Sequence, residues 1–321
     1  MEFGLEIALI ILGLAILLIS GDLLVRGAVG LATALKIPAL IVSLTIVAFG
    51  TSAPELVVTV QAVMSGSAGI ALGNIVGSNI ANILLVLGFP ALIYPITTRV
   101  SGLRRHAVVM LAGTAMFASF AYFRGSIDST AGWILLASIS AYMIYMWIRA
   151  SRKGGDDPLI DEVADYAENG IGWKTILFLI AGLVGLPLGA NLLVTHGAAL
   201  ATELGVRDEL IGLTIVAFGT SLPELATVCA AAFHKKSDVA IGGVVGSNIF
   251  NLLAVGAAAG LAGGAMFDPK SLSFDLPIMI GVSILISAFI FMRRDVGRLS
   301  GFIFAAAYIG FIIALATMAG H

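Results

Sequence analysis

Apolar and polar residues do not alternate along this chain; apolar residues gather in long runs broken by short polar intervals. Ten such runs fall at residues 7–34, 38–64, 68–97, 107–123, 130–148, 175–202, 210–233, 239–267, 276–292 and 299–319. Each approaches or exceeds the ~20 residues that carry a helix across a bilayer core. In hydrocarbon every backbone amide needs a partner inside the protein, so a spanning segment is a helix or part of a closed barrel. The runs lack the period-two alternation of barrel strands. The pattern therefore predicts an all-α polytopic membrane protein with ten transmembrane helices. The first residues, Met1-Glu2-Phe3-Gly4-Leu5-Glu6, are acidic where a secretory signal is basic, so the first run is expected to remain as a membrane helix.

Composition agrees. The 321 residues are 59% hydrophobic and 11% charged, against roughly 25% charged in a soluble domain. So few charges cannot cover a water-facing surface, and no nucleic acid partner is expected. The basic residues are unevenly placed. Odd-numbered loops hold Lys36, then Arg99, Arg104 and Arg105, then Arg149, Arg152, Lys153 and Lys174, then Lys235 and Lys236, then Arg293, Arg294 and Arg298. Even-numbered loops hold only Arg124, Arg207 and Lys270. Lys and Arg accumulate on the cytoplasmic side, which places both termini outside. The one cysteine, Cys229, excludes an intrachain disulfide.

The chain repeats itself. Leu44 to Leu56 reads L-T-I-V-A-F-G-T-S-A-P-E-L, and Leu213 to Leu225 reads the same with one change. Glu55 and Glu224 are 169 residues apart. At that offset Val76-Gly77-Ser78-Asn79-Ile80-Ala81-Asn82 matches Val245-Gly246-Ser247-Asn248-Ile249-Phe250-Asn251. Residues 1–150 and 173–321 are read as two five-helix repeats joined by a cytoplasmic linker at 151–172. The linker's acidic residues, among them Asp156, Asp157 and Asp161, lack EF-hand spacing and read as a solvated loop. An odd number of helices per repeat inverts the second in the membrane, and inverted repeats mark secondary transporters with ion sites near the midplane.

Glu55 and Glu224 stand alone inside apolar runs. A membrane-embedded carboxylate costs about 2.5 to 3.5 kcal/mol on the most lenient scale and is a functional candidate by default. A single one is explained by pairing with Arg26; two related by the repeat point to one shared site. Pro54 and Pro223 precede them, with Gly50 and Gly219 four residues earlier. Proline removes an amide donor and clashes with the carbonyl four back, so each helix is expected to break at the Gly-Thr-Ser step. The break frees carbonyls and exposes Thr51, Ser52, Thr220 and Ser221. On the partner helices Ser78 and Asn82, and Ser247 and Asn251, are spaced i, i+4 and share a face. All these candidate ligands are hard oxygens, which suits calcium and sodium. His106, His196, His234 and His321 fall near predicted helix ends and read as interfacial.

At the motifs G-T-S-x-P-E and G-S-N-x-x-N, each present twice, the chain closely resembles the calcium/cation antiporter superfamily, specifically prokaryotic sodium/calcium exchangers. The resemblance covers nearly the whole chain. It implies that Glu55 and Glu224 face each other, and that Thr51, Thr220, Ser52, Ser221, Ser78, Ser247, Asn82 and the carbonyls of Ala48 and Ala217 supply further oxygens. Some relatives that also move potassium carry aspartate in place of Asn251. The resemblance further implies a prokaryotic plasma membrane, calcium and sodium as transported ions with no other cofactor, and calcium export by alternating access. The first and sixth helices, with Asp22 and Asn191 at equivalent positions, are candidate moving elements. A proton/calcium antiporter on the same scaffold is the alternative. An intramembrane hydrolase is disfavoured by the absence of H-E-x-x-H, and a channel by the depth and charge of the site.

Overall fold

The computed structural model describes residues 2–35, 37, 39–152, 172–203, 219–269 and 271–319. The chain starts with α1 (Glu2–Leu35). It continues through α2 (Ala39–Thr51), bent by 41° against α3 (Ala53–Met64), and then α4 (Ala68–Ala81). A π-helical turn at Asn82–Val86 leads into α5 (Gly88–Ile93). Next come α6 (Leu103–Arg124), α7 (Ser129–Arg152) and α8 (Trp173–Glu203). Then α9 (Leu222–Phe233) is followed by α10 (Ser237–Phe250), which passes through a π-turn at Asn251–Val255 into α11 (Gly256–Ala262). Finally α12 (Leu276–Phe291) and α13 (Arg298–Ala319) follow.

Eight of the described helices are long and apolar enough to cross a membrane, or nine with the bent α2–α3 pair as one span. Residues 204–218, which include the first nine of the run at 210–233, lie outside the described set, as do linker residues 153–171 with their acidic cluster. The run at 68–97 is not one continuous α-helix, because a π-turn interrupts it at Asn82 and its helical part ends at Ile93. Bounds recur between the halves: α3 and α9, α4 and α10, and the two asparagine-led π-turns each begin 169 residues apart.

The centre is built from the repeated motifs. In their most apolar stretches 78% of Gly69–Ile93 and 94% of Ser237–Ala262 is buried, against 28% for α1 and 22% for α8. Exposed Leu, Ile and Phe side chains on α1, α8 and α13 suit contact with lipid. Glycines let the inner helices meet at backbone distance: a Cβ on Gly246 would lie 2.7 Å from the Ala48 Cβ. Outside this core α1 packs lengthwise on α8, where a Cβ on Gly13 would lie 2.9 Å from the Gly189 carbonyl oxygen. Small residues at helix contacts are how membrane proteins gain packing without a hydrophobic drive.

Loop pairings close both ends of the bundle. At one end β1 (Ser126–Ile127) pairs antiparallel with β2 (Ala265–Met266), and Gly263 packs against Val63 near the end of α3. At the other, Ile96 and Val296 form an antiparallel bridge, and the Thr97 amide donates to Ser237 Oγ at 3.1 Å. Helix α6 runs 22 residues from one end to the other, or about 33 Å at 1.5 Å per residue. The turn after α3 and its counterpart after α9 thus lie at different ends of the molecule. Trp133, Trp147 and Trp173 are exposed.

Arg26 pairs with Asp22 at 2.8 Å, so the simple explanation of Glu55 as its partner fails. Asp22 also bonds His234 at the end of α9, tying α1 to that helix. His196 pairs with Glu6 at 2.6 Å across α8 and α1. His106 departs from the interfacial expectation: it is buried on α6, with Nδ1 3.0 Å from the Tyr142 hydroxyl. A hydroxyl on the facing helix supplies the partner that burial demands. His321 lies outside the described residues.

Candidate cation site

The two breaks form as the prolines require. Ser52 leaves helical geometry at φ −85° and ψ 4°, and Pro54 sits in the first turn of α3. Ser221 does the same at φ −88° and ψ 2° ahead of Pro223. A proline at the start of a helix gives up an amide that has no helical partner there. At the first break the chain bends and resumes, and in both halves a glutamate falls in the first turn of the helix that follows. Gly50 and Thr51 remain helical, which narrows the break to the serine.

Both carboxylates are fully enclosed, with Glu55 0% and Glu224 2% exposed. Ser52 Oγ donates to Glu224 Oε1 at 3.2 Å across the halves. The Thr51 and Ser247 hydroxyls are 3.3 Å apart, a second contact across the halves. The Ala48 carbonyl, implied as a ligand, accepts from the Ser52 amide at 3.0 Å and from Thr51 Oγ1 at 3.3 Å. Ala217 lies outside the described residues.

Ser78, Asn82, Ser221 and Asn251 are buried on the same elements but make no hydrogen bond to either glutamate among the described residues. Asn82 and Asn251 each open a π-turn, a distortion frequent at functional sites. Thr220 Oγ1 reaches Asn74 Oδ1 at 3.4 Å. Asn74 itself donates to the Glu55 carbonyl at 3.0 Å and to Thr59 Oγ1 at 2.9 Å.

One half-buried asparagine escapes the sequence reading. Asn74 stands four residues before Ser78 and eight before Asn82, on the same helical stripe. Its counterpart is Gly243, so a search by repeat passes over it. Asn79 and Asn248 belong to the repeated motif but point away from the stripe. Asn248 Nδ2 donates to the Asn79 carbonyl at 3.3 Å, and Asn79 Nδ2 to the Ile75 carbonyl at 2.7 Å.

Both Glu55 oxygens, Glu224 Oε2, the Ser221 hydroxyl and the Asn82 and Asn251 side-chain amides are buried with no hydrogen-bond partner among the described residues. Leaving ionised carboxylates so enclosed costs several kcal/mol apiece. The donor set is all oxygen and offers two negative charges, which a hard cation satisfies.

Comparison with known proteins assigns the scaffold. Residues 5–150 and 174–317 match the family described as sodium/calcium exchanger protein. The chain belongs to that family. The exchanger's relatives include the putative antiporter CaxA of Alkalimonas amylolytica, 34% identical over 94% of this chain and 96% of that one. Another is the sodium/calcium exchanger MaX1 of Methanosarcina acetivorans, 30% identical over 96% of this chain and 97% of that one. The fold superposes on the sodium-calcium exchanger NCX_Mj soaked with sodium and strontium, with a TM-score of 0.83 and 29% identity over 98% of this chain and 99% of that one. The exchanger is thus an integral membrane antiporter and not an enzyme.

Proposed function

We propose that this exchanger moves calcium in one direction and sodium in the other by alternating access, at one central site holding Glu55 and Glu224. The observation that carries this reading is the pair of buried glutamates, three of whose four oxygens have no hydrogen-bond partner among the described residues. Two like charges in a dry site are tolerable only with cations or protons bound. One calcium or several sodium ions neutralise them, and the empty, doubly charged site resists crossing the membrane. Exchange is thereby favoured over leak. Hydroxyls of Thr51, Ser52, Ser78, Thr220, Ser221 and Ser247, amides of Asn82 and Asn251 and carbonyls of Ala48 and Ala217 complete the ligand set.

The architecture behind it is two inverted five-helix repeats, 1–150 and 173–321, ten spans in all, with 151–172 as the linker. Equivalent turns at different ends of the bundle support the inversion. The loops that meet at the Ile96–Val296 bridge are the arginine-rich ones, which supports placing that end in the cytoplasm and both termini outside, in a prokaryotic plasma membrane. Helices α1 and α8 pack as a unit on the core and are the candidate moving pair. If three sodium ions exchange for one calcium, each cycle moves one charge, worth about 2.3 kcal/mol per 100 mV, and an inside-negative potential drives calcium out.

The test is calcium-45 uptake into proteoliposomes loaded with sodium or with potassium, with and without a proton gradient. Uptake that requires internal sodium is expected. Uptake that follows only the proton gradient would replace this reading with a proton/calcium antiporter.

A further inference from the structure

One end of the bundle carries a concentration of positive charge that the cation site does not use. Residues 94–106 contain Arg99, Arg104 and Arg105 and no acid; residues 291–301 contain Arg293, Arg294 and Arg298 with one acid, Asp295. Sequence alone scatters these across two loops almost 200 residues apart. The fold joins them. The Ile96 amide donates to the Val296 carbonyl at 3.0 Å, and the Val296 amide to the Ile96 carbonyl at 2.9 Å. Thr97 Oγ1 donates to Asp295 Oδ1 at 2.8 Å, and Thr98 Oγ1 to the Arg294 carbonyl at 3.0 Å. A third loop joins through Ser237, and its Lys235 ammonium stands 5.8 Å from the centre of the Tyr94 ring.

Some of this charge is spent within the protein. Arg104 Nη2 donates to the Phe291 carbonyl at 2.7 Å, at the C-terminus of α12. Arg99 donates to the Arg293 carbonyl at 3.3 Å and lies 3.6 Å from Asp295. Arg105, Arg293, Arg294 and Arg298 are exposed and make no ion pair among the described residues. Lys235 and Arg293 hold left-handed backbone conformations, φ 56° and 53°, which L residues adopt at a cost. The turn equivalent to that of Lys235 uses Gly66, at φ 78°. At the opposite end Arg124 is neutralised by Asp128 at 2.8 Å.

We infer that the interlocked loops 94–105 and 291–298 form a docking site for the phosphate of an anionic phospholipid headgroup, with Arg105, Arg293, Arg294 and Arg298 as its ligands. The position suits this occupant. These residues adjoin the ends of the apolar helices α6, α12 and α13, where a bilayer surrounding those helices would present its headgroups. Guanidinium groups pair with phosphate through two parallel hydrogen bonds. Ligands drawn from both halves mean that one bound lipid braces the seam between them. The inference does not depend on which ions the exchanger carries.

The experiment titrates the full chain, in neutral detergent, with fluorescent phosphatidylglycerol and with phosphatidylcholine of the same acyl chains. Wild type is expected to prefer phosphatidylglycerol. Each basic residue near a membrane surface contributes about a fivefold factor, so Arg105→Gln, Arg294→Gln and Arg298→Gln together should weaken phosphatidylglycerol binding by roughly a hundredfold. Phosphatidylcholine binding should not change. The matching triple Arg→Lys variant should keep the preference for phosphatidylglycerol, and Arg124→Gln should leave it untouched. Equal binding of both lipids by wild type, or an unchanged preference in the triple Gln variant, overturns the proposal. Displacement of the lipid by inorganic phosphate alone, at equal concentration, overturns it too, because the site would then read free phosphate.

Discussion

Ser52 belongs to the first half of the chain and Glu224 to the second, and the hydroxyl of one donates to the carboxylate of the other at 3.2 Å. The mirror-related bond, Ser221 to Glu55, is not made: the Ser221 hydroxyl has no partner among the described residues. Two nearly identical sequences are therefore caught in unequal arrangements. If the transporter alternates by exchanging the roles of its halves, the opposite state makes the second bond and breaks the first.

Ser52→Ala and Ser221→Ala should then bias the resting state in opposite directions. A hydrogen bond to a charged group contributes about 1.5–3 kcal/mol, which corresponds to a tenfold or greater shift in the balance. Engineered-cysteine accessibility from the two faces of oriented vesicles reads that balance. Equal shifts in the same direction would show that the asymmetry is not part of the cycle.

Glu55→Gln and Glu224→Gln should each abolish calcium-45 uptake, to less than about a hundredth of wild type, since loss of one buried charge interaction is worth 3–5 kcal/mol. Folding should survive, because glutamine keeps the shape and relieves the repulsion between the carboxyls. Thermal unfolding in detergent is expected to occur at or above the wild-type temperature. A variant that unfolds earlier, or one that retains full exchange, contradicts the site assignment.

Much of this was legible in the sequence. Uninterrupted apolar runs demand helices, and the two copies of G-T-S-x-P-E fix a helix break beside a buried acid, since proline's missing donor has the same consequence in any surroundings. The π-turns at Asn82 and Asn251 were not legible. They insert a residue into the helical ladder with no composition of their own, and arise from how the site helices pack. Asn74 was hidden for another reason: a reading guided by the repeat finds what the halves share, and Gly243 stands in its place. The loop interlock at Ile96 and Val296 depends on tertiary contact alone.

Acid should inhibit exchange, and the inhibition should be competitive with the transported ions. Protonating either glutamate removes one of the two negative charges that hold the cation, so activity is present at higher pH and lost as pH falls. Because protons and cations claim the same oxygens, raising sodium or calcium should move the midpoint to lower pH. Initial rates across a pH series at several ion concentrations make the comparison. A midpoint that does not move with ion concentration would locate the acid effect outside the cation site.

The contact between α1 and α8 carries the last prediction. A Cβ on Gly182 would lie 2.6 Å from the Leu24 Cβ and 2.9 Å from the Leu24 backbone nitrogen. Neither is the tip of a flexible side chain, so α8 cannot accept a larger residue there without moving off α1. Overpacking of this kind costs about 1–3 kcal/mol. Gly182→Val is therefore expected to lower the unfolding temperature. If the two helices move as one body during transport, it should also reduce the turnover rate while leaving the half-saturating ion concentrations unchanged, since the ligand-bearing helices are untouched. Gly281 on α12 is the control, because a Cβ there meets nothing within 4 Å. Gly281→Ala should match or slightly exceed wild-type stability, as alanine is the better helix former by about 1 kcal/mol. A Gly182→Val protein that turns over at the wild-type rate would mean that close packing of α1 on α8 is not what carries the conformational change.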